Sequence, residues 1–291
     1  MRDLVIAVVG GDRRQSAAAR ALAAAGLHVR TACLPGLPPG DPLEALSGAD
    51  AWLLPPAPVP SDGTVGEGDC AVQVGPRTLR RLRAGARVLC GRLAPAVRAE
   101  VERAGCVAVE YAEREDFAAA NAELTAEGAL AHLLVASGRA IAGCRMAVLG
   151  YGRCGQAVAR KAAAWGAHVT VVARSPEARR RAAQLGFSTC SFEDAGGVLA
   201  ESAAVVNTVP AQVLGEERLA CLGRDAYVLD LASAPGGVDW EAARRRGVRA
   251  EALPGVPGRL VPETAGRIVA SVALTVLRET VVQPIPGGGR G

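Results

Sequence analysis

Three observations predict an α/β fold made of two doubly wound parallel-sheet domains. Strand and helix signals alternate along nearly the whole chain, which implies βαβ units and parallel sheets. The alternation breaks once, over Pro55–Gly75, and restarts after a long helical stretch beginning at Asn121. At the start of the second half, Gly150-Tyr-Gly152-Arg-Cys-Gly155 follows a predicted strand and opens a predicted helix, which marks that half as a Rossmann dinucleotide-binding domain. With 291 residues the chain is long enough for two cores. The expected boundaries are 1–122 for a flavodoxin-like substrate domain and 123–262 for the dinucleotide domain. The helix 263–280 is expected to pack back on the first domain, and 283–291 to form a flexible tail.

Each element has a local signal. Leu4–Gly10 is an apolar, β-branched run and reads as a buried strand, not as a signal peptide with its cleavage site. Gln15–Ala25 is Ala-rich and helical. His28–Cys33 and Ala51–Leu54 read as strands, with a short helix over Pro42–Leu46 between them. Arg77–Arg83 reads as helix, Val88–Cys90 as strand, Pro95–Ala104 as a helix with proline in its first turn, and Val107–Tyr111 as strand. A connection as long as Pro55–Gly75 is usually functional or disordered. Asn121–Ile141 predicts one long helix, and Cys144–Gly150 a strand running into the glycine turn. Gln156–Trp165, Pro176–Leu185 and Trp240–Arg246 follow as helices, with His168–Val172, Val205–Thr208 and Tyr227–Leu231 as strands. The last helix, Glu263–Leu277, carries Ile268, Val269, Val272, Val276 and Leu277 as an apolar stripe that needs a partner.

Composition excludes several classes. A net charge of +4 from 33 basic and 29 acidic residues, spread along the chain, is no nucleic-acid footprint. No apolar run approaches the length of a membrane span. The eight cysteines form no C-x-x-C pair and the three histidines do not cluster with them, which argues against a metal site and for scattered small core residues. The basic residues are nearly all arginine, Lys161 being the single lysine. A cytoplasmic protein is expected.

The glycine turn carries the chemistry. Gly150 permits the tight turn, Gly152 lets a pyrophosphate approach the backbone, and Gly155 lets helix and strand pack closely. Tyr151, Arg153 and Cys154 line the same turn, and the helix N-terminus offers free N–H groups to phosphate. About 20 residues on, an NAD site would place Asp or Glu for the ribose hydroxyls. This strand instead ends Ala173-Arg174-Ser175, a guanidinium beside a hydroxyl, which suits the 2′-phosphate of NADP. Arg179 reads as a solvated residue, with a second phosphate contact as the alternative.

These residues, with Val9-Gly-Gly-Asp-Arg-Arg-Gln15, Thr64-Val-Gly-Glu-Gly68, Thr125-Ala-Glu-Gly128, Asn207-Thr-Val-Pro210, Asp230–Gly237, Leu253–Gly258 and Pro262–Gly266, resemble the A subunit of dipicolinate synthase from spore-forming bacteria. The resemblance covers nearly the whole chain. It implies NADP-linked oxidation of dihydrodipicolinate to dipicolinate, a pyridine-2,6-dicarboxylate. It also implies an assembly with a flavoprotein-like B subunit in the mother cell of a sporulating bacterium. By elimination, the residues disfavour relatives of similar layout. A D-2-hydroxyacid dehydrogenase needs a late histidine, and the last one here is His168. Alanine dehydrogenases, adenosylhomocysteine hydrolases and methylene-tetrahydrofolate dehydrogenases need an active-site lysine, and Lys161 lies two turns into a helix.

Aromatising a dihydropyridine needs little machinery beyond holding a dicarboxylate in line with the nicotinamide, with donors for its carboxylates and one weak base. The expected substrate-binding residues are Gly11, Asp12 and Arg13 after the first strand, with Gly66 and Gly68 in the long loop. Thr125 and Glu127 are the catalytic candidates, although Asp12 reads equally as a helix cap and Glu127 as an exposed helix residue. Thr208, Val209 and Pro210 should pass over the nicotinamide ribose. Leu231, Ala232 and Ser233 should face the nicotinamide, and Gly255 belongs to the last closing loop. Two other functions stay open: an NADP-dependent oxidoreductase for another small acid, and a catalytically silent NADP-binding subunit.

Overall fold

The computed structural model describes residues 4–66, 68 and 71–282; the expected tail 283–291 lies outside the described residues. The chain divides into two compact units, Met1–Ala120 with Val261–Gly291, and Asn121–Leu260.

In chain order the first unit contains β1 (Val5–Val9), α1 (Arg13–Ala24), β2 (His28–Ala32), α2 (Pro42–Leu46) and β3 (Ala51–Leu53). It continues through the short strands β4 (Pro58–Val59), β5 (Thr64–Val65) and β6 (Val72–Gln73), α3 (Pro76–Leu79), β7 (Arg87–Cys90), β8 (Arg92–Leu93), α4 (Pro95–Arg103) and β9 (Val107–Glu110). The main sheet has the order β2-β1-β3-β7-β9 with every pairing parallel, so each link is a crossover. Both faces are covered. Ala7 and Val9 join one apolar cluster with Trp52 and Val88, while Ile6 and Val8 join another on the opposite face, because successive side chains alternate.

The described residues of Pro55–Gly75 form a folded segment rather than an open loop. β4 pairs in parallel with β8, β5 pairs antiparallel with β6, and Val59, Val65, Val72 and Val74 are buried in the first cluster. Its valines had the strand signal, but two-residue ladders are too short to show periodicity.

The long helix α5 (Glu115–Ser137) begins six residues before the expected start and ends four before the expected end. Glu115 and Asp116 suit its first turn, and Gly138 at φ +70° ends it in the left-handed conformation. Phe117 packs in the core of the first unit, whereas Ala122, Ala126, Leu130 and Leu133 belong to the second.

The second unit continues with β10 (Arg145–Leu149), α6 (Arg153–Ala164), β11 (His168–Val172), α7 (Pro176–Gln184), β12 (Ser188–Cys190), α8 (Ala195–Glu201), β13 (Ala204–Asn207), α9 (Glu216–Ala220), β14 (Tyr227–Asp230), α10 (Trp240–Arg245), β15 (Arg249–Ala252) and α11 (Val256–Leu260). Its sheet is parallel throughout, in the order β12-β11-β10-β13-β14-β15, the 3-2-1-4-5-6 arrangement of a dinucleotide fold. The two edge strands, β12 and β15, are short and half polar, so no apolar run announces them in the sequence.

The last helix, α12 (Pro262–Val282), packs against α1 within the first unit. Val269, Val272, Val276 and Leu277 are buried with Ile6, Val8, Ala18 and Leu22, each worth about 1.5–3 kcal/mol on burial. Gly266 sets the approach: a Cβ there would stand 2.4 Å from Ala17 Cβ and 2.5 Å from the Arg14 carbonyl oxygen.

Candidate functional site

In the second unit, β10 delivers the chain into the glycine turn. Gly150 has φ +92°, and a Cβ on it would meet Thr208 Oγ1 at 2.7 Å and Val209 Cγ2 at 2.8 Å. At Gly155 a Cβ would lie 2.2 Å from the Gly150 carbonyl oxygen, so this glycine permits α6 to start directly against the strand end. Gly152 differs from both. It is the N-cap of α6, and among the described residues no side chain caps the helix there and a Cβ on it would meet nothing within 4 Å. The turn is therefore tight underneath and open above, as a pyrophosphate approaching the amides of a twelve-residue helix requires.

The flanking side chains divide between cradle and core. Tyr151 is turned into the apolar core, edge-on to Phe187 with ring centroids 6.4 Å apart. Burial pushes its phenol pKa up, and its hydroxyl has no partner among the described residues. Only its backbone faces the turn, which corrects its expected place among the cofactor contacts. Arg153 is exposed at the first helical position. Cys154 is half-buried, and burial raises its thiol above the usual range, so it serves as a neutral packing group.

At the end of β11, Arg174 is exposed and its guanidinium has no hydrogen bond or ion pair among the described residues. Ser175 caps α7, its Oγ accepting from the Ala178 amide at 3.3 Å, which leaves the hydroxyl proton available to a ligand. Arg179 does not extend into solvent as expected: its Nη1 donates to the carbonyls of Ala173 (2.7 Å) and Arg174 (2.8 Å), fastening this strand end.

The loops after β13 and β14 complete this end of the sheet. Thr208 Oγ1 donates to the Leu149 carbonyl at 2.9 Å, bracing the glycine turn from below. Val209 is half-buried and Pro210 exposed; Leu231 and Ala232 are half-buried and Ser233 exposed. Gly255, at φ +67°, precedes α11. Asn207 and Asp230, to which sequence reasoning assigned no role, are paired strand-end residues, 0% and 2% exposed, with Asn207 Nδ2 donating to Asp230 Oδ1 at 2.8 Å. The available signal was a polar residue closing an otherwise apolar strand in each case.

The two catalytic candidates lie on α5. Thr125 is buried, and its Oγ1 donates to the Asn121 carbonyl one helical turn back. Glu127 lies 3.7 Å from Lys161, which also pairs with Glu123 at 3.3 Å. Lys161 occupies the last turn of α6, roughly 12 Å along the helix from its N-terminus at 1.5 Å per residue. Glu127 and Lys161 thus link α5 to α6 through an ion pair.

In the first unit, the turn after β1 carries the expected substrate residues. Gly10 and Gly11 have φ +76° and +117°, and a Cβ on Gly10 would touch Val65 at 3.3 Å. The turn and the Thr64–Gly66 segment are thereby brought together; Gly66 and Gly68 also have positive φ, while Glu67 lies outside the described residues. Asp12 caps α1, accepting from the Arg14 amide at 2.9 Å, and it also binds the Arg14 guanidinium through Nε and Nη2. Arg14 is neutralised by that bidentate pair, whereas Arg13 is exposed with no partner among the described residues. A cavity of about 560 Å³ lined by Arg145, His168, Phe187 and Ser202 lies at the opposite end of the second sheet from the glycine turn, and so it is not part of this site.

Comparison with known proteins agrees with this geometry. Residues 114–238 match the family described as D-isomer specific 2-hydroxyacid dehydrogenase, NAD binding domain. The fold and the glycine turn accordingly define a dehydrogenase-type protein with a nicotinamide-dinucleotide-binding domain. The crystal structure of the dipicolinate synthase A subunit from Bacillus halodurans superposes with a TM-score of 0.83 at 30% identity, covering 94% of this chain and 97% of that one. The corresponding crystal structure from Bacillus subtilis gives a TM-score of 0.83 at 29% identity, covering 97% and 98%. The dipicolinate synthase A subunit of Bacillus subtilis (strain 168) is 36% identical over 171 residues, a match that spans 59% of this chain and 58% of that protein. The chain belongs to the family of dipicolinate synthase A subunits.

Proposed function

We propose that the protein is the NADP-linked subunit of a dipicolinate synthase, oxidising dihydrodipicolinate to dipicolinate. The single observation that carries the cofactor half is the Arg174 guanidinium, without a partner among the described residues, beside the Ser175 hydroxyl, at the strand end where the adenosine 2′ substituent lies in this fold. Family membership supports the substrate and the partner, a flavoprotein-like B subunit in the mother cell of a sporulating bacterium.

The ring must lose one hydride, to the nicotinamide, and one proton, to solvent water, and aromatisation supplies the driving force. NADP, when bound, is the hydride acceptor. The chain's own residues hold and orient. Gly152 and the first-turn amides of α6 receive the pyrophosphate, with Gly150 and Gly155 giving the turn its shape. Arg174 and Ser175 receive the 2′-phosphate. Arg13, with its charge uncompensated by Asp12, offers a charge-assisted hydrogen bond to one substrate carboxylate, and the Gly11 amide borders the same turn. Holding a flat dicarboxylate at fixed orientation supplies most of what such a reaction needs from a protein.

The test is to follow dipicolinate absorbance when freshly generated dihydrodipicolinate and NADP are given to the purified chain, with and without its B partner. Product formed with the chain present, alone or with that partner, is the expected result. Dipicolinate formed just as fast by the B partner without this chain would overturn the proposal.

A further inference from the structure

We propose that Asn207 and Asp230 form a positioning clamp that holds the two nicotinamide-side loops in register, and that Asp230 thereby governs binding of the nicotinamide half of the cofactor separately from the adenosine half. The inference rests on the nicotinamide-dinucleotide reading above. It concerns residues that contact the loops and not the ligand.

The two side chains are register partners at the ends of adjacent strands β13 and β14. Asn207 closes a ring on its own loop: Oδ1 accepts from the Val209 amide at 3.1 Å, and Nδ2 donates to the Val209 carbonyl at 3.1 Å. The second Nδ2 hydrogen goes to Asp230 Oδ1 at 2.8 Å. Asp230 collects the next loop, Oδ1 accepting from the Ala232 amide at 3.0 Å and Oδ2 from the Gly237 amide at 2.8 Å. Gly237 seals the arrangement, since a Cβ there would fall 2.1 Å from Asn207 Nδ2 and 2.9 Å from the Val209 carbonyl oxygen. Its own carbonyl accepts from the amides of Val213 and Leu214, stitching the far side of the first loop to the second.

A buried carboxylate surrounded by donors is a costly way to gain stability, because apolar residues of similar volume fill such a space without desolvating a charge. What a carboxylate can do, and an apolar group cannot, is collect three N–H donors from two chain segments and fix their relative position. In a 3-2-1-4-5-6 sheet the first half, β10–β12, serves the adenosine side and the second half, β13–β15, serves the nicotinamide side. The clamp lies wholly in the second half. Its loops carry Thr208–Pro210 and Leu231–Ser233, while Gly152, Arg174 and Ser175 stand on the first half.

The experiment compares wild type with Asp230→Asn, whose single acceptor oxygen cannot serve three donors. Binding of NADPH and of 2′-phospho-ADP-ribose, which lacks the nicotinamide, is measured on the folded chain; NADH and ADP-ribose replace them if wild type prefers NAD. The variant is expected to lose about tenfold or more in affinity for the dinucleotide, the loss of a charge-assisted bond, while the nicotinamide-free probe binds within about twofold of wild type. Equal losses for both probes, or no loss for either, would overturn the clamp. Wild type binding neither probe overturns the nicotinamide reading itself, and the clamp with it. Amide hydrogen exchange on the unliganded wild type gives a readout that needs no variant. The amides of Val209, Ala232 and Gly237 should exchange slowly, and exchange at open-loop rates would sink the proposal even if Asp230→Asn fails to fold.

Discussion

His132 Nε2 lies 2.8 Å from Glu251 Oε2, joining the long helix α5 to the edge strand β15. The same carboxylate oxygen accepts from the Tyr227 hydroxyl at 2.7 Å, and the Arg249 guanidinium stacks over the Tyr227 ring. These contacts give an otherwise polar edge strand its reason to pair.

Acid should loosen this junction. The hydrogen bond from His132 foremost, then that from Tyr227, holds the Glu251 carboxyl below its usual range. A depressed folded-state pKa contributes stability above the unfolded carboxylate value, near 4.3, that is lost as pH falls through the lower folded value. Wild type should therefore exceed Glu251→Gln in thermal stability at neutral pH, and the gap should close below about pH 4. A gap independent of pH would mean that the carboxylate charge plays no part. Tyr227 itself is pushed up to about 12 by burial and by Glu251, so its ultraviolet ionisation should come late in an alkaline titration.

Two glycines of one turn should fail in different ways. Gly155→Ala drives a methyl group into the Gly150 carbonyl and should cost about 1–3 kcal/mol of stability, read as a lower Tm. Gly152→Ala has room in the unliganded protein, so its Tm should match wild type while cofactor affinity falls about tenfold or more.

Arg174→Asp should lower NADP affinity about tenfold or more and leave NAD affinity equal or improved, since an acid there repels the 2′-phosphate and accepts from a ribose hydroxyl. Titration of wild type with both dinucleotides comes first. Equal affinities would make Arg174 an ordinary surface arginine.

Neighbouring arginines should separate binding from stability. Arg13→Ala is expected to weaken substrate binding about ten- to a hundredfold with cofactor affinity unchanged. Arg14→Ala instead releases the Asp12 carboxylate and should show first as a lower Tm. If Arg13→Ala binds substrate normally, the carboxylate contact belongs to the Gly66–Gly68 loop.

Tyr151→Phe should leave stability unchanged or raise it by up to about 1–3 kcal/mol, because it deletes a buried hydroxyl with no partner among the described residues. A clear loss of Tm would show that the hydroxyl is bonded in solution.

The fold class was legible in the sequence because each cue is local. Apolar strands such as Val5–Val9 and Arg145–Leu149 announce themselves within five residues, and the glycine turn reports a backbone demand that only its residue type can meet. The apolar stripe of α12 likewise declared that a partner exists. What the sequence alone could not place was any role set by contact across elements. It named Arg13 for the substrate, but it could not show that Asp12 takes up the neighbouring Arg14 guanidinium. It read Tyr151 as a cofactor contact, although its side chain faces the core. It offered Glu127 both a catalytic and an exposed-helix role, and could not show that Lys161, 34 positions away, lies 3.7 Å from it. Asn207 and Asp230 lie 23 residues apart and become a pair only when β13 and β14 align in register. Backbone requirements are written residue by residue, whereas side-chain partnerships exist only once the sheets and helices have packed.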